Sequence, residues 1–359
     1  MSKLKFDAIL EDFFTIPRAL LDCLSYYLGE GQKLFIQFRS TLERLSITRI
    51  CLIGHTYNYF ASLVAFYYIA QKFGKKTMDC LTYEVNDFLY HFHLNPLWKN
   101  TLFVIISESG DSIQIQECFE KIIEARIPSD NIVGVTNNKD SFLTLHTPIS
   151  FPMKSGAQQV IGSKSYLNTI LILYFIARAF QQEEVIPHKV EEEIRNLIFE
   201  IKFFSADWEV HLKSMSEFLG TDYDYLYFIA KGASLATAYL AGMNSKSYAR
   251  IFGQGTNIGL FLHGPFQIVN DSFRCILIIS DESSPDDTLR LIDVITNKLG
   301  KGRVVFINNS RQLSSLGRAN PNVWIFEHTT KNSSLAPIFE ILVIQYLLLD
   351  QALRRGVVE

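Results

Sequence analysis

Six consecutive residues, Ser107-Glu108-Ser109-Gly110-Asp111-Ser112, concentrate hydroxyl and carboxylate chemistry at one point of the chain. They follow the apolar run Leu102-Phe103-Val104-Ile105-Ile106, which reads as a buried strand. They precede Ile113–Ala125, where Ile113, Cys118, Ile122 and Ile123 are spaced for a helix packed on a sheet. A strand, a serine-rich turn and a helix start together form an anion cradle. Hydroxyls donate hydrogen bonds, and the unpaired N–H groups of the first helical turn add positive potential. A small phosphorylated ligand suits such a cradle. The same residues also suit a plain helix cap, because Ser and Asp favour helix starts. From the segment alone both readings stand.

The elements that must position this turn are written twice. Ile50-Cys51-Leu52-Ile53-Gly54-His55-Thr56, followed by a helical Tyr57–Gln71, parallels Leu226–Gly232 followed by Ala233–Ser245. Leu102–Ser112 with its helix parallels Cys275–Ser284 with the helix Asp286–Leu299, and Asn131–Asn138 parallels Arg303–Asn309. Each half ends in a long apolar helix, Lys164–Phe180 and Ser334–Arg354. Such a repeat predicts two βαβ-built units, each an αβα sandwich around a parallel sheet. Ligands then belong beyond the carboxyl ends of the strands, where both halves carry Gly, Ser, Thr and Asn. The charged stretch His188–Ile201 reads as a helix joining the halves, with residues 1–200 forming the first domain and 201–359 the second.

Composition narrows the function classes. With 359 residues, 48% hydrophobic and 20% charged, the chain can build a sizeable core. A net charge of −3 with scattered Lys and Arg gives no electrostatic case for nucleic acid. The most apolar stretch, Leu167–Phe180, is interrupted by Asn168 and Arg178 and is too short for a membrane span. The N-terminus soon meets Asp7, Glu11 and Asp12, unlike a signal peptide. Cys23, Cys51, Cys80, Cys118 and Cys275 lie far apart, as expected of reduced thiols in a cytoplasmic protein. His91 and His93 read as one side of an extended segment with no third metal ligand nearby. Asp286-Asp287 reads as favourable charge at a helix start. The second turn, Ser280–Ser284, lacks Gly and carries Asp281 and Glu282, so no phosphate is expected there. The abundant aromatics, 28 Phe and 16 Tyr, read as core and subunit interface.

Over nearly its whole length the chain resembles the double sugar-isomerase-domain family. That family includes the isomerase half of glucosamine-6-phosphate synthase and the fructosamine-6-phosphate deglycases. Gly54-His55-Thr56-Tyr57 falls where the family has a Gly-Thr-Ser turn, and Ser107–Ser112 falls on its Ser-Gln-Ser-Gly-Glu/Asp-Thr phosphate turn. Asn86-Asp87-Phe88 matches Ser-Glu-Phe, and Val160–Tyr166 matches Val-Ala-Ser-Thr-Lys-Ala/Ser-Phe. The resemblance implies two tandem sandwiches with flavodoxin-like sheets. It further implies that Ser107, Ser109 and Ser112, helped by Thr56, hold a phosphate, and that the backbone around Val160 lines the sugar. Ser163, in the same segment, and Ser247 are placed beside the substrate. Lys164 either adds positive charge or anchors its helix, the latter favoured. Glu108 replaces the family's Gln; a carboxylate there accepts hydrogen bonds, suits sugar hydroxyls and repels phosphate.

The family shuttles protons on an open-chain sugar phosphate, with a Glu as base and a His from the partner subunit aiding ring opening. Leu262-His263-Gly264-Pro265 reproduces its Lys-His-Gly-Pro, which places His263 at the His position and implies a homodimer. The Glu position, sixteen residues earlier, is Ser247, and Asn244 stands at a further active-site Lys. A serine hydroxyl is too weak a base unless a neighbour activates it. Glu108, or less suitably Asp87, is the candidate replacement. The chain ends at Arg354-Arg355-Gly356-Val357-Val358-Glu359, without the synthase tail that carries a closing Lys, and without a glutaminase domain ahead of it. Full synthase activity is therefore not expected. Two expectations follow. One is a cytoplasmic, cofactor-free isomerase or deglycase acting on a ketose or amino-sugar 6-phosphate. The other is a catalytically impaired sugar-phosphate-binding regulator.

Overall fold

Apolar runs of five or six residues set the framework. The computed structural model describes residues 3–71, 79–160, 162–281 and 285–358. The chain divides into two compact units, Thr15–Glu192 and Met1–Phe14 together with Glu193–Glu359. The first fourteen residues thus group with the second half.

In chain order come α1 (Lys3–Leu28), of which only the part from Thr15 belongs to the first unit, then α2 (Gln32–Arg44), β1 (Arg49–Gly54), α3 (Tyr57–Gln71), β2 (Asp79–Glu84), α4 (Val85–His91) and β3 (Thr101–Ile106). It continues with α5 (Ile113–Glu124), β4 (Ile132–Thr136), α6 (Phe142–His146), β5 (Ile149–Pro152) and α7 (Lys164–Phe180). The five strands are all parallel, in the order β2-β1-β3-β4-β5. Alternating side chains feed both faces. Cys51, Ile53, Phe103 and Ile105 pack with Val85, Phe88, Ile115, Cys118 and Ile122 from α4 and α5. On the other face, Tyr27, Phe35, Phe151 and Phe175 form an aromatic cluster with ring centroids 5.1–6.3 Å apart. Each such fully buried side chain contributes about 1.5–3 kcal/mol.

The second half follows α8 (His188–Ala206) and carries α9 (Trp208–Leu219), β6 (Tyr225–Ala230), α10 (Leu235–Tyr248), β7 (Phe252–Asn257), α11 (Ile258–Leu262) and β8 (Arg274–Ile279). Then come α12 (Pro285–Asp293), β9 (Arg303–Asn308), α13 (Arg311–Ser315), β10 (Val323–Glu327) and α14 (Ala336–Arg354). Its parallel strands run β10-β9-β8-β6-β7, the same winding as the first sheet read from its other edge. Two parallel αβα sandwiches are therefore present, as the duplicated pattern predicts. Among the described residues one helix, Ala336–Arg354, is long and apolar enough to cross a membrane, and 89% of its most apolar window is buried inside the fold.

Details differ from the sequence reading for local reasons. In α5 the buried face is Ile115, Cys118 and Ile122, whereas Ile113 and Ile123 are 70% and 39% exposed. At 100° per residue, positions 115, 118 and 122 share one side and 113 lies far from it. The segment after β6 opens as a 3-10 turn, Gly232–Ser234, before α10 begins. The helix of 286–299 passes from α12 into a π-turn at Val294–Lys298. His91 lies on α4 with Asp87, not on an extended segment shared with His93, and Glu84 caps the helix by accepting from the Asn86 N–H.

Gly54 ends β1 where α3 passes over the strand. A Cβ at this position would collide with the backbone of Asn58 and Tyr59. Gly54→Ala should therefore cost about 1–3 kcal/mol, read as a lowered denaturant midpoint. A midpoint equal to wild type would show that α3 has room to retreat.

Candidate functional site

The site begins with strand pairing. β1 and β3 run side by side with Gly54 opposite Ile106, and the His55 N–H donates to the Ile106 carbonyl at 3.1 Å. Beyond those strand ends lie His55–Asn58 and Ser107–Ser112. The chain reverses strand order between β1 and β3, which is where open α/β sheets hold ligands.

Hydrogen bonds to the neighbouring loop fix the turn. The Glu108 carbonyl accepts from the Asn137 N–H and the Thr136 hydroxyl, both at 3.0 Å. The Asp111 carboxylate accepts from the Phe142 N–H at 2.7 Å and from Asn138 Nδ2 at 3.0 Å. Gly110 sits at φ 69°, and a Cβ there would strike Ser141 and Thr136. The hydroxyl oxygens of Ser107 and Ser109 accept from the N–H groups of Gly110 and Asp111 at 3.2 and 3.4 Å. Each O–H is left without an acceptor among the described residues, ready to donate. Ser112 holds the N-cap position of α5 without making a side-chain cap, and its buried hydroxyl has no partner among the described residues. The ordinary capping bond is thus not made. Thr56, at φ 56°, is a β-branched residue in the left-handed region, a conformation that costs about 1–3 kcal/mol and concentrates at functional sites.

These loops surround a cavity of about 590 Å³ lined by His55, Thr56, Tyr57, Asn58, Ser107, Glu108, Ser109, Asn137 and Asn138. The lining holds one carboxylate, Glu108, and neither Lys nor Arg. Glu108 Oε2 accepts from the Tyr57 hydroxyl at 2.6 Å, and that hydroxyl lies 3.2 Å from Ser165 Oγ. Burial first, then the negative charge of Glu108, pushes the Tyr57 phenol well above its ordinary range, so it stays protonated as a donor.

Of the expected site residues, Thr56, Ser107, Glu108 and Ser109 meet around this cavity. Ser112 stands next along the turn. Val160 is nearly buried, and Ile161 of the same motif lies outside the described residues. Ser163 is fully buried, with its hydroxyl donating to the Val160 carbonyl at 2.9 Å. Lys164 is buried as well, and its ammonium donates to the Ala157 carbonyl at 2.5 Å, an anchoring role. Ser247 and His263 belong to the second unit. The Ser247 hydroxyl faces the Met243 and Asn244 carbonyls of its own helix at 3.4 and 3.3 Å, and His263 is exposed at the end of α11. Tyr57, Asn58, Asn137 and Asn138 line the cavity without a role assigned from sequence. Their position just past β1 and β4 is the signal that locates them. No group of three or more His, Cys, Asp or Glu is placed to hold a metal ion among the described residues.

The matching edge of the second sheet is filled from within. Ser280 follows β8 as Ser107 follows β3, but its hydroxyl donates to Glu340 of α14, whose carboxylate also accepts from Ser234 at 2.8 Å and Thr237 at 2.9 Å. Glu340 is fully buried, and burial raises its pKa against the pull of those three hydroxyls. His328 Nε2 lies 3.2 Å from Ser280 Oγ. Of the Ser280–Ser284 turn, residues 282–284 lie outside the described residues.

No family model matches the chain. It is 20% identical over 357 residues to a probable glutamine–fructose-6-phosphate aminotransferase of Acanthamoeba polyphaga mimivirus, covering 96% of this chain and 55% of the relative. The chain spans about half the length of the curated relatives it first matches. The C-terminal domain of glucosamine-fructose-6-phosphate aminotransferase from Francisella tularensis superposes with a TM-score of 0.76 at 19% identity, covering 97% of this chain and 96% of that one. The tagatose-6-phosphate ketose/aldose isomerase of Escherichia coli gives 0.74 at 17% identity, covering 96% and 92%. The chain has the double sugar-isomerase fold. Within that fold the first half presents an open hydroxyl-lined cavity, whereas the second presents hydroxyls closed around a carboxylate.

Two measurements test the closed edge. Glu340→Ala leaves three buried hydroxyls without their acceptor and should cost at least about 2 kcal/mol, read by chemical denaturation. Burial, with the Lys331 charge beside it, pushes His328 down to about 3 from the usual 6.5. The unfolded chain then takes up a proton at His328 that the folded chain refuses, so stability should fall as pH drops from about 6.5 toward 3. His328→Gln should flatten that part of the Tm-against-pH curve; an unchanged slope would assign the loss to other groups.

Proposed function

We propose that the first-half cavity binds an open-chain sugar phosphate and that the protein isomerises it between ketose and aldose. The observation that carries this reading is the ring of unspent donors at the β1/β3 crossing. Thr56, Ser107 and Ser109 line the cavity there, and Ser112 follows along the same turn as the N-cap of the twelve-residue helix α5, whose first N–H groups add positive potential. These donors take the phosphate, and the single carboxylate in the lining, Glu108, is turned toward the sugar. The relatives' printed names, an aminotransferase acting on fructose 6-phosphate and a tagatose-6-phosphate isomerase, support this ligand class.

Isomerisation needs one base. Glu108 removes the proton from the carbon beside the carbonyl, and the electron pair moves to give an enediol. The carboxyl, whose proton exchanges with solvent while the enediol persists, then protonates the neighbouring carbon, while a hydroxyl proton passes between the two oxygens. His263 from a second copy of the chain would assist ring opening, making the working form a homodimer. An amino-sugar substrate with loss of the amine, the deglycase outcome, uses the same first step. Five free, buried cysteines suit a reducing cytoplasm. One observation favours a second reading: Ser247 bonds its own helix and supplies no base, which suits a sugar-phosphate-binding regulator.

Incubation with ketose and aldose 6-phosphates in D2O, followed by NMR, should show deuterium entering C1 or C2. Glu108→Gln should abolish that exchange while leaving binding by calorimetry intact. Ser107→Ala and Ser109→Ala should each weaken binding about tenfold. Binding without exchange would favour the regulator, and absence of both would overturn the site.

A further inference from the structure

We infer that Tyr57 is the positioning residue of Glu108, pinning one carboxylate oxygen so that the other faces the cavity. This rests on the reading of Glu108 as the base and adds a residue that the resemblance leaves without a role.

An ionised carboxylate only accepts hydrogen bonds, so at 2.6 Å the Tyr57 O–H must donate to Glu108 Oε2. A donor bound to a charged acceptor at this distance is the strong kind of hydrogen bond. With its hydrogen committed, the phenol oxygen accepts, and Ser165 Oγ at 3.2 Å supplies the donor. Ser165 is held in turn, because its N–H donates to Gln158 Oε1 at 3.0 Å. The Ser163 hydroxyl donates to the Val160 carbonyl at 2.9 Å, with the same Gln158 oxygen 3.3 Å away. Donors thus run from the Ser165 hydroxyl at the start of α7 through the Tyr57 hydroxyl to Glu108.

The tyrosine cannot easily leave this arrangement. Its side chain is buried, and its ring lies edge-on to Tyr166 with centroids 6.1 Å apart. At the start of α3, the Asn58 and Tyr59 N–H groups bond the carbonyls of His55 and Thr56 at 3.2 and 3.0 Å. Glu108 Oε1, by contrast, carries no hydrogen bond among the described residues. A proton taken from substrate lands on Oε1 and leaves Oε2 still accepting from Tyr57. Tyr57 therefore orients the base and keeps its own proton throughout.

Tyr57→Phe keeps the ring and removes the hydroxyl. It should lower the rate of C1/C2 exchange by about 10- to 100-fold while changing the sugar-phosphate KM less than about threefold, with circular dichroism confirming the fold. An exchange rate equal to wild type would overturn the inference. A second readout needs no turnover. With tyrosines labelled at Cζ, the Tyr57 resonance at neutral pH should move in Glu108→Gln, because the charged acceptor 2.6 Å from its hydroxyl has gone. If the resonance is the same in both proteins, the pairing is refuted whatever the activity. If it moves but wild type exchanges no sugar phosphate, the isomerase reading falls and the Tyr57–Glu108 pairing stands.

Discussion

Pairing of β1 with β3, Gly54 opposite Ile106, is the constraint on which the candidate site depends. Parallel strands end on one edge, and each leads into a loop and then a helix whose N-terminus points back toward that edge. Because the next strand in sequence, β2, lies on the far side of β1, the loops after β1 and β3 diverge and leave a crevice. Gly54 lets α3 start immediately, and Gly110 lets the serine turn press on Thr136 and Ser141. Hydroxyls, helix start and carboxylate are brought together by backbone pairing before any side chain meets another.

The two halves show what one topology can do with different side chains. Both sheets share the same winding, and both place a serine immediately after their central strand. In the first half, Ser107 and Ser109 accept from backbone N–H groups and keep their hydrogens to give. In the second, Ser234, Thr237 and Ser280 give theirs to Glu340. A buried carboxylate surrounded by donors occupies its hydroxyls as completely as a bound anion would. Among the described residues, Ser107 and Ser109 on the first half's edge keep hydroxyl hydrogens that nothing receives, whereas Ser280 on the second has given its own to Glu340.

Much of this was legible in the residues. The strands at Leu102–Ile106 and Arg303–Asn308, the helix Lys164–Phe180 and the repeat that relates the halves all follow from short apolar runs punctuated by Gly, Ser and Asn. The inward face of α5 differs from the sequence expectation at Ile113, because apolar identity alone does not fix helical phase when several Ile residues crowd together. Glu340 was invisible for a different reason. A lone carboxylate inside the apolar run Ala336–Leu349 signals burial, but its partners lie about sixty to a hundred residues away in sequence. Tyr57 fell inside a recognised motif, yet only the fold brings it to Glu108, fifty-one positions further on.

Charge gives the Tyr57–Glu108 bond its importance in the proposed complex. Neither Lys nor Arg lines the cavity, so a phosphate there relies on hydroxyl donors and the start of α5. Hydrogen bonds to a charged group contribute about 1.5–3 kcal/mol each. A carboxylate within about 4 Å of the phosphate would oppose each negative charge by about 4 kcal/mol at an effective dielectric of about 20. That repulsion is large enough to cancel two of the donors. A freely rotating Glu108 would spend part of its time against the anion. Tied through Oε2 to a buried phenol, it is held in one orientation, and the same bond that aims the base also lets a carboxylate share a cradle built for an anion.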